Sequence, residues 1–205
     1  MSTAPSQPPF ISFDEYLRLE AQSEERHDYV DGQMIAMSGG SPEHSRIVSN
    51  LIREVGTRLK GRPCEIFDTN LRIGTRGRVK THYPDASIVC GPLELDPRDA
   101  TGHTILNPVV IFEVLSPSTE AYDRLTKFDH YLTLPSLREY VLIRQERPEI
   151  IHYFRNPDAT WMLGVISDLR ATLRLRSVDI EVPVRELYDR VTFPPVADED
   201  DAEMR

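Results

Sequence analysis

Two acidic residues lie in stretches too apolar to hold a carboxylate without reason. Asp85 sits in Tyr83-Pro84-Asp85-Ala86-Ser87-Ile88-Val89-Cys90, and Glu113 in Val109-Val110-Ile111-Phe112-Glu113-Val114-Leu115. Both runs predict buried or half-buried strands, where an ionised carboxylate is costly to desolvate unless it is paired or holds a metal. Two carboxylates on neighbouring strands suit a hard divalent cation, Mg2+ or Mn2+, which takes one or two of them and completes its shell with carbonyls, water and phosphate oxygens. Lys127 follows on the next predicted helix, in Asp123-Arg124-Leu125-Thr126-Lys127-Phe128. An ammonium beside such a site can orient or deprotonate an attacking water and offset charge on a pentavalent phosphate. The pattern predicts Asp85, Glu113 and Lys127 as catalytic residues, the two acids also as metal ligands.

The elements that must position them are legible from periodicity and punctuation. Phe13 to Glu20 predicts a short helix with Ser12 as N-cap. Asp28 to Met37 predicts a hairpin turning at Asp31-Gly32, because glycine tolerates the positive φ of a two-residue turn. Ser38-Gly39-Gly40 predicts a loop. Ser41 and Pro42 then mark a helix start, and Ile47, Val48, Leu51, Ile52, Val55 and Leu59 give it one buried face. Glu65 to Ile73 predicts a strand, joined to the Tyr83 strand by the loop Gly74-Thr75-Arg76-Gly77-Arg78.

Gly91 to Asn107 reads as a surface loop, and Val109 to Leu115, apolar on both faces, as a central strand. A helix follows from about Thr119 to Leu134. Its buried face is marked by Leu125, Phe128 and Leu132, and Lys127 flanks that face. Asp123 and Lys127 are i, i+4 neighbours. Three further strands (Tyr140–Ile143, Ile150–Phe154, Trp161–Ile166), a weaker signal over Leu173–Val184 and a closing helical turn at Val184–Tyr188 complete an α/β sandwich on a mixed sheet. The domain reading is a disordered tail at 1–10, one domain over 11–192, and an acidic disordered tail at 193–205.

Charge and composition bound the function. The formal net charge is −9, which argues against a simple polyanion binder. Between Arg53 and Lys80, however, eight basic residues stand against three acidic ones. That segment is either a footprint for a phosphate backbone or a solvated face whose arginines pair with acids elsewhere. No run approaches the ~18 apolar residues of a membrane span. Cys64 and Cys90 form neither a CxxC pair nor a disulfide-rich framework, so a reducing, cytoplasmic setting is the simplest reading.

An ordered series of motifs adds a family. Tyr83-Pro84-Asp85, Glu113-Val114-Leu115-Ser116-Pro117-Ser118-Thr119, Asp123-Arg124, Lys127 and Tyr131 resemble the Uma-type restriction endonuclease family of the PD-(D/E)xK nuclease superfamily. Ser41-Pro42-Glu43-His44 and Leu137-Arg138-Glu139-Tyr140-Val141-Leu142 belong to the same likeness, which spans about Phe13 to Tyr188. The resemblance implies a restriction-endonuclease-like fold, a mixed β-sheet sandwiched by α-helices, with a metal held by Asp85, Glu113 and the Val114 carbonyl. The superfamily's lysine two residues after the acid is Leu115 here, and the resemblance implies that Lys127 takes its part. Asp28 stands where relatives usually carry glutamate; it and His44 are accessory candidates, each equally readable as a hairpin residue and a helix-cap residue. Tyr83 and Tyr131 read as packing residues able to stack on a nucleotide.

The primary expectation is therefore a Mg2+- or Mn2+-dependent DNA endonuclease, working as a homodimer by analogy with nucleases of this architecture. A non-catalytic module binding nucleic acid or a protein through the same fold competes with it, on the strength of Leu115 and the acidic charge. A metal-dependent hydrolase of nucleotides is the third reading.

Overall fold

The computed structural model describes residues 9–37, 39–75 and 80–195. Most of the two tails (1–8 and 196–205), Ser38 of the predicted loop, and Arg76, Gly77 and Arg78 of the basic loop lie outside the described residues.

Helix α1 (Phe13–Glu20) is capped by Ser12, whose hydroxyl accepts from the Glu15 N–H. Strands β1 (His27–Val30) and β2 (Gln33–Ala36) form the predicted hairpin, with Asp31 and Gly32 both at positive φ. Helix α2 (Pro42–Leu59) starts as its sequence demands, Ser41 Oγ accepting from His44 N–H at 3.1 Å with Pro42 behind it. The predicted strand Glu65–Ile73 is two strands, β3 (Cys64–Asp68) and β4 (Arg72–Gly74), which join different sheets. An Asx turn separates them: the Asp68 side chain accepts from the Asn70 N–H.

The stretch around Asp85 also differs from expectation. Strand β5 (Lys80–His82) ends before Tyr83, and β6 (Ala86–Cys90) begins only after Asp85. Pro84 has no N–H for a ladder and breaks the run. Asp85 therefore sits at the mouth of β6 rather than inside it. The predicted loop Gly91–Asn107 contains β7 (Thr104–Ile105), parallel to β4, because buried Arg72 donates to both Asp99 (2.8 Å) and Thr104 (2.7 Å) and ties the segment down.

Strand β8 (Val110–Leu115) is central and wholly buried. The helix after it is not regular: a π-helical turn, Tyr122–Lys127, leads into α3 (Phe128–Tyr131). Strands β9 (Glu139–Arg144), β10 (Ile150–Arg155) and β11 (Trp161–Ile166) follow. The weak signal near Leu173 resolves into a hairpin, β12 (Thr172–Leu175) and β13 (Ile180–Pro183), closed by α4 (Val184–Leu187).

Six strands in the order β11-β10-β9-β8-β6-β3 make the main sheet, mixed because β8 and β9 run parallel and the other pairs antiparallel. A five-stranded sheet, β2-β1-β5-β4-β7, lies beside it. Strand alternation divides the main sheet chemically. Val110, Phe112 and Val114 face α2, α4 and the β12–β13 hairpin. Ile111 and Leu115 face Tyr131, Leu134 and Leu137, together with Ile73 and Ile105 of the second sheet. The α/β class and mixed sheet hold, but its covers are partly β-structure rather than helices alone.

Cys64 and Cys90 are direct cross-strand partners of β3 and β6 and are disulfide-bonded. Among the described residues no helix is long and apolar enough to cross a membrane. Leu51 is fully buried between α2 and the sheet. Leu51→Ala should cost about 2–5 kcal/mol in urea denaturation, with an unchanged m-value.

Candidate active site

Glu113 shares its face of β8 with Ile111 and Leu115, so the pleat aims it at the layer formed by the π-helical turn and α3. The β6–β8 register pairs Ala86 with Phe112; one step outward, Asp85 falls beside Glu113. Asp85 Oδ2 accepts from the Val114 N–H at 2.7 Å, which fixes the carboxylate at the start of β6. Asp85 and Glu113, with Val114, Lys127, His44 and Asp28, line one cavity of about 590 Å3.

Lys127 reaches this cavity from an inverted helix face. Leu125, expected to be buried, is 71% exposed, whereas Asp123 and Lys127 are 3% and 5% exposed. Lys127 Nζ lies 3.0 Å from Glu113 Oε1 and 3.0 Å from Asp123 Oδ1. The buried stripe runs Asp123, Lys127, His130, Tyr131, because an ion-paired lysine can be desolvated where its partners are already inside. Phe128 packs against the core as its hydropathy predicts, and Leu125 is the residue that does not. The Tyr140 hydroxyl donates to the Asp123 carbonyl at 2.9 Å and anchors the π-helical turn to the sheet. The Tyr131 hydroxyl contacts Glu113 Oε1 at 3.4 Å.

The cluster contains more carboxylates than cations, and its proton affinities follow. Burial pushes the Glu113 carboxyl well above the usual carboxylate range; Lys127 opposes this, while Asp123 and Asp85 add to it. Burial would lower the Lys127 ammonium, but Glu113, Asp28 and Asp123 outweigh it and hold the lysine well above its ordinary value. The two rises have different leading causes, desolvation for the Glu113 carboxyl and the surrounding carboxylates for the Lys127 ammonium. Lys127 is thus held as an ammonium, a donor and counter-charge to Glu113 and Asp123.

His44 and Asp28 both reach the cavity. His44 Nε2 lies 3.2 Å from Asp85 Oδ2. Burial disfavours its charge, but Asp85 and Asp123 raise its pKa above the ordinary histidine value. Asp28 Oδ1 accepts from the Tyr83 N–H at 3.0 Å, and Oδ2 meets His82 Nδ1 at 2.9 Å and the Tyr122 hydroxyl at 3.2 Å. Burial opposes ionisation of Asp28, yet Lys127, His82 and the Tyr83 N–H hold its carboxyl below the usual range. His82 Nε2 continues to His130 Nδ1 at 2.8 Å, and His130 Nε2 meets Lys80 Nζ. Burial, with His82 and Lys80, pulls His130 down to about 4, so it is neutral near pH 7.

Tyr122, Asp123, His82 and His130 were not singled out as site residues by sequence. His82 directly precedes Tyr83-Pro84-Asp85, and Asp123 keeps i, i+4 spacing to Lys127; those were the available signals. Tyr83 does not line the cavity: its hydroxyl accepts from Arg72 at 3.0 Å in the interior. Tyr131 is fully buried and has no face free for stacking. Within the run Arg53–Lys80, Arg53 and Arg58 share Glu54, Arg72 pairs with Asp99 inside the fold, and Lys80 lies 3.6 Å from Asp31.

Among the described residues no three His, Cys, Asp or Glu side chains gather into a ready metal cage. Mg2+ does not require one, because water and substrate phosphate complete its shell around one or two carboxylates. Asp85 Oδ1 and Glu113 Oε2 accept no hydrogen bond from the described residues. A carboxyl pair with free oxygens, open to a cavity and over-supplied with negative charge, fits a divalent cation.

The Uma2 family, described as "Putative restriction endonuclease", matches residues 13–185. The chain belongs to that family. It is 38% identical over 194 residues to the uncharacterized protein slr1290 of Synechocystis sp., covering 93% of this chain and 98% of that one. The uncharacterized protein sll1609 of the same organism is 33% identical over 149 residues, 73% of this chain and 83% of that one. The fold is similar to the crystal structure of "a putative nuclease belonging to DUF820" from Anabaena variabilis, with a TM-score of 0.70, 21% identity, and 88% and 98% of the two chains covered. Family and fold together are those of restriction-endonuclease-like nucleases.

The inverted helix face is directly testable. Lys127→Met removes the ammonium between Glu113 and Asp123 and should cost about 3–5 kcal/mol in denaturant unfolding. Leu125→Ala, on the exposed side, should stay within about 0.5 kcal/mol of the parent.

Proposed function

We propose that this protein is a divalent-metal-dependent endonuclease that hydrolyses phosphodiester bonds of DNA, with Asp85 and Glu113 holding Mg2+ or Mn2+. The Val114 carbonyl is the third protein oxygen assigned to the ion. The observation that carries the reading is the meeting of Asp85, Glu113 and Lys127 in one cavity, in a chain of the Uma2 family. A cation bound there supplies Lewis-acid polarisation of the scissile phosphate.

The chain's own residues do the remaining work. Lys127, locked by Glu113 and Asp123, presents a fixed positive charge where negative charge develops, and needs no reorganisation at the moment of reaction. It stands in space for the superfamily lysine, while Leu115 packs in the core below. The Val114 N–H holds Asp85 in register with Glu113. His44, hydrogen-bonded to Asp85 at the cavity wall, is a cationic donor for an entering phosphate oxygen. Tyr122, whose phenol burial pushes up, keeps its proton and lines the same wall. A homodimer, pairing two such sites on opposite strands, belongs to the same proposal.

Purified protein incubated with supercoiled DNA over a Mg2+ and Mn2+ series should nick or cut it. Asp85→Asn and Glu113→Gln should each reduce the rate by at least about 100-fold, the scale of losing a transition-state stabilising group. Equal cleavage by parent and Asp85→Asn would remove the assigned site. No cleavage, together with no millimolar-or-better Mg2+ site that Glu113→Ala removes, would favour the non-catalytic module instead.

Metal affinity should also depend on pH, with a defined sign. Because the Glu113 carboxyl holds its proton above the usual range, the ion must displace that proton, and affinity falls as pH drops. Mn2+ affinity should rise up to about tenfold per pH unit through that titration. Calorimetry in buffers of different ionisation enthalpy should show proton release, which Glu113→Gln abolishes.

A further inference from the structure

The positive charge that a phosphate would seek is not where the sequence concentrates it. Among the described residues, Arg124, Arg144, Arg147, Arg170, Arg174, Arg185 and Arg190 each have a carboxylate within 4 Å. Arg138, Arg155 and Arg176, from the same half of the chain, make no such pair. All three line a second cavity of about 570 Å3, whose walls include Phe154 and Asn156 and carry no Asp or Glu.

The backbones bearing these arginines are held in place. Arg155 N–H donates to the Arg138 carbonyl at 2.8 Å, joining the end of β10 to the start of β9. Next to Arg176, Ser177 donates both its N–H (2.6 Å) and its hydroxyl (2.5 Å) to Glu139, a fully buried carboxylate. The guanidiniums themselves are only lightly engaged. Arg138 Nη1 donates to the Pro135 carbonyl at 3.0 Å, and Arg155 Nη1 to the Leu134 carbonyl at 3.4 Å. Arg176 lies 5.0 Å over the Phe154 ring, and Arg155 6.0 Å over Trp161. Each guanidinium carries five N–H donors, so most of them remain unused. Three like charges around one concavity, without a carboxylate, repel each other until an anion enters. Planar forks stacked on aromatic rings are suited to phosphate.

We propose that Arg138, Arg155 and Arg176 form a binding pocket for a phosphate group, separate from the Asp85–Glu113 site. Strand β9 runs from beside Arg138 to beside Gln145, which lines the first cavity. At ~3.3 Å per residue the two cavities lie roughly 20 Å apart, at opposite ends of the main sheet. The pocket takes the phosphate of a free nucleotide or one phosphodiester of a nucleic-acid backbone, by the same contacts. It does not depend on the nuclease reading.

The test is binding in EDTA, which takes the metal site out of play. Inorganic phosphate and a mononucleotide are titrated by calorimetry, and a labelled DNA duplex by fluorescence anisotropy at two salt concentrations. At least one should saturate, and Arg138→Gln with Arg176→Gln, both exposed positions, should weaken it by about tenfold per guanidinium lost. Arg170→Gln, a surface arginine already paired with Asp168, should change nothing. Saturation by phosphate or nucleotide assigns a free ligand; saturation by duplex alone assigns a backbone contact. No binding by any probe, or equal binding by the double variant with native thermal unfolding, overturns the pocket. Asp85→Asn should bind as the parent does, so a failed nuclease reading and a failed pocket give different results.

Discussion

A single desolvated ammonium organises the candidate site of this molecule. Lys127 lies between Glu113 and Asp123, with Asp28 close enough to act on its charge, and all four are buried. An unpaired charge at any of these positions would cost several kcal/mol, so the pairs must form together. That requirement turns the π-helical turn inward, leaves Leu125 in solvent and brings Tyr122 to the cavity wall. The same requirement gathers Glu113, Asp123 and Asp28 around one ammonium, so the cluster holds more carboxylates than lysines.

The main sheet makes this possible by having two unlike faces. One is sealed by α2, α4 and the β12–β13 hairpin in continuous apolar contact. The other is apolar under Tyr131, Leu134 and Leu137 but turns polar toward the end of β8, where Glu113 emerges. Period-two alternation sends Phe112 and Val114 to the first face and Glu113 to the second, so β8 serves core and site in consecutive residues. Asp85 can join Glu113 because Pro84 ends the ladder just before it and leaves its carboxylate free to take the Val114 N–H.

Charge is distributed by pairing rather than by sequence density. The chain is acidic overall, and within its basic run at Arg53–Lys80 the two helix arginines Arg53 and Arg58 share Glu54 while Arg72 lies inside the fold on Asp99. The arginines left without carboxylates are far apart in sequence and meet only because β9, β10 and the Arg176 loop converge. A scan for charge runs finds the first group and misses the second, since it has no access to which acids lie opposite.

From the sequence alone came the strand carrying Glu113, the capped start of α2, the Asp31-Gly32 turn, the acid pair with Lys127, and the family. Each depends on local signals: apolar periodicity, a proline at a helix start, a glycine at positive φ, and fixed spacing within motifs. Tertiary structure decided the division of Glu65–Ile73 between two sheets, the burial of the helix by its charged stripe, the Asp28–His82–His130 connection and the Cys64–Cys90 bond. Those outcomes turn on what lies across a strand pair or beneath a helix. Desolvation and pairing energies there exceed local propensity, and they exist only once distant segments have met.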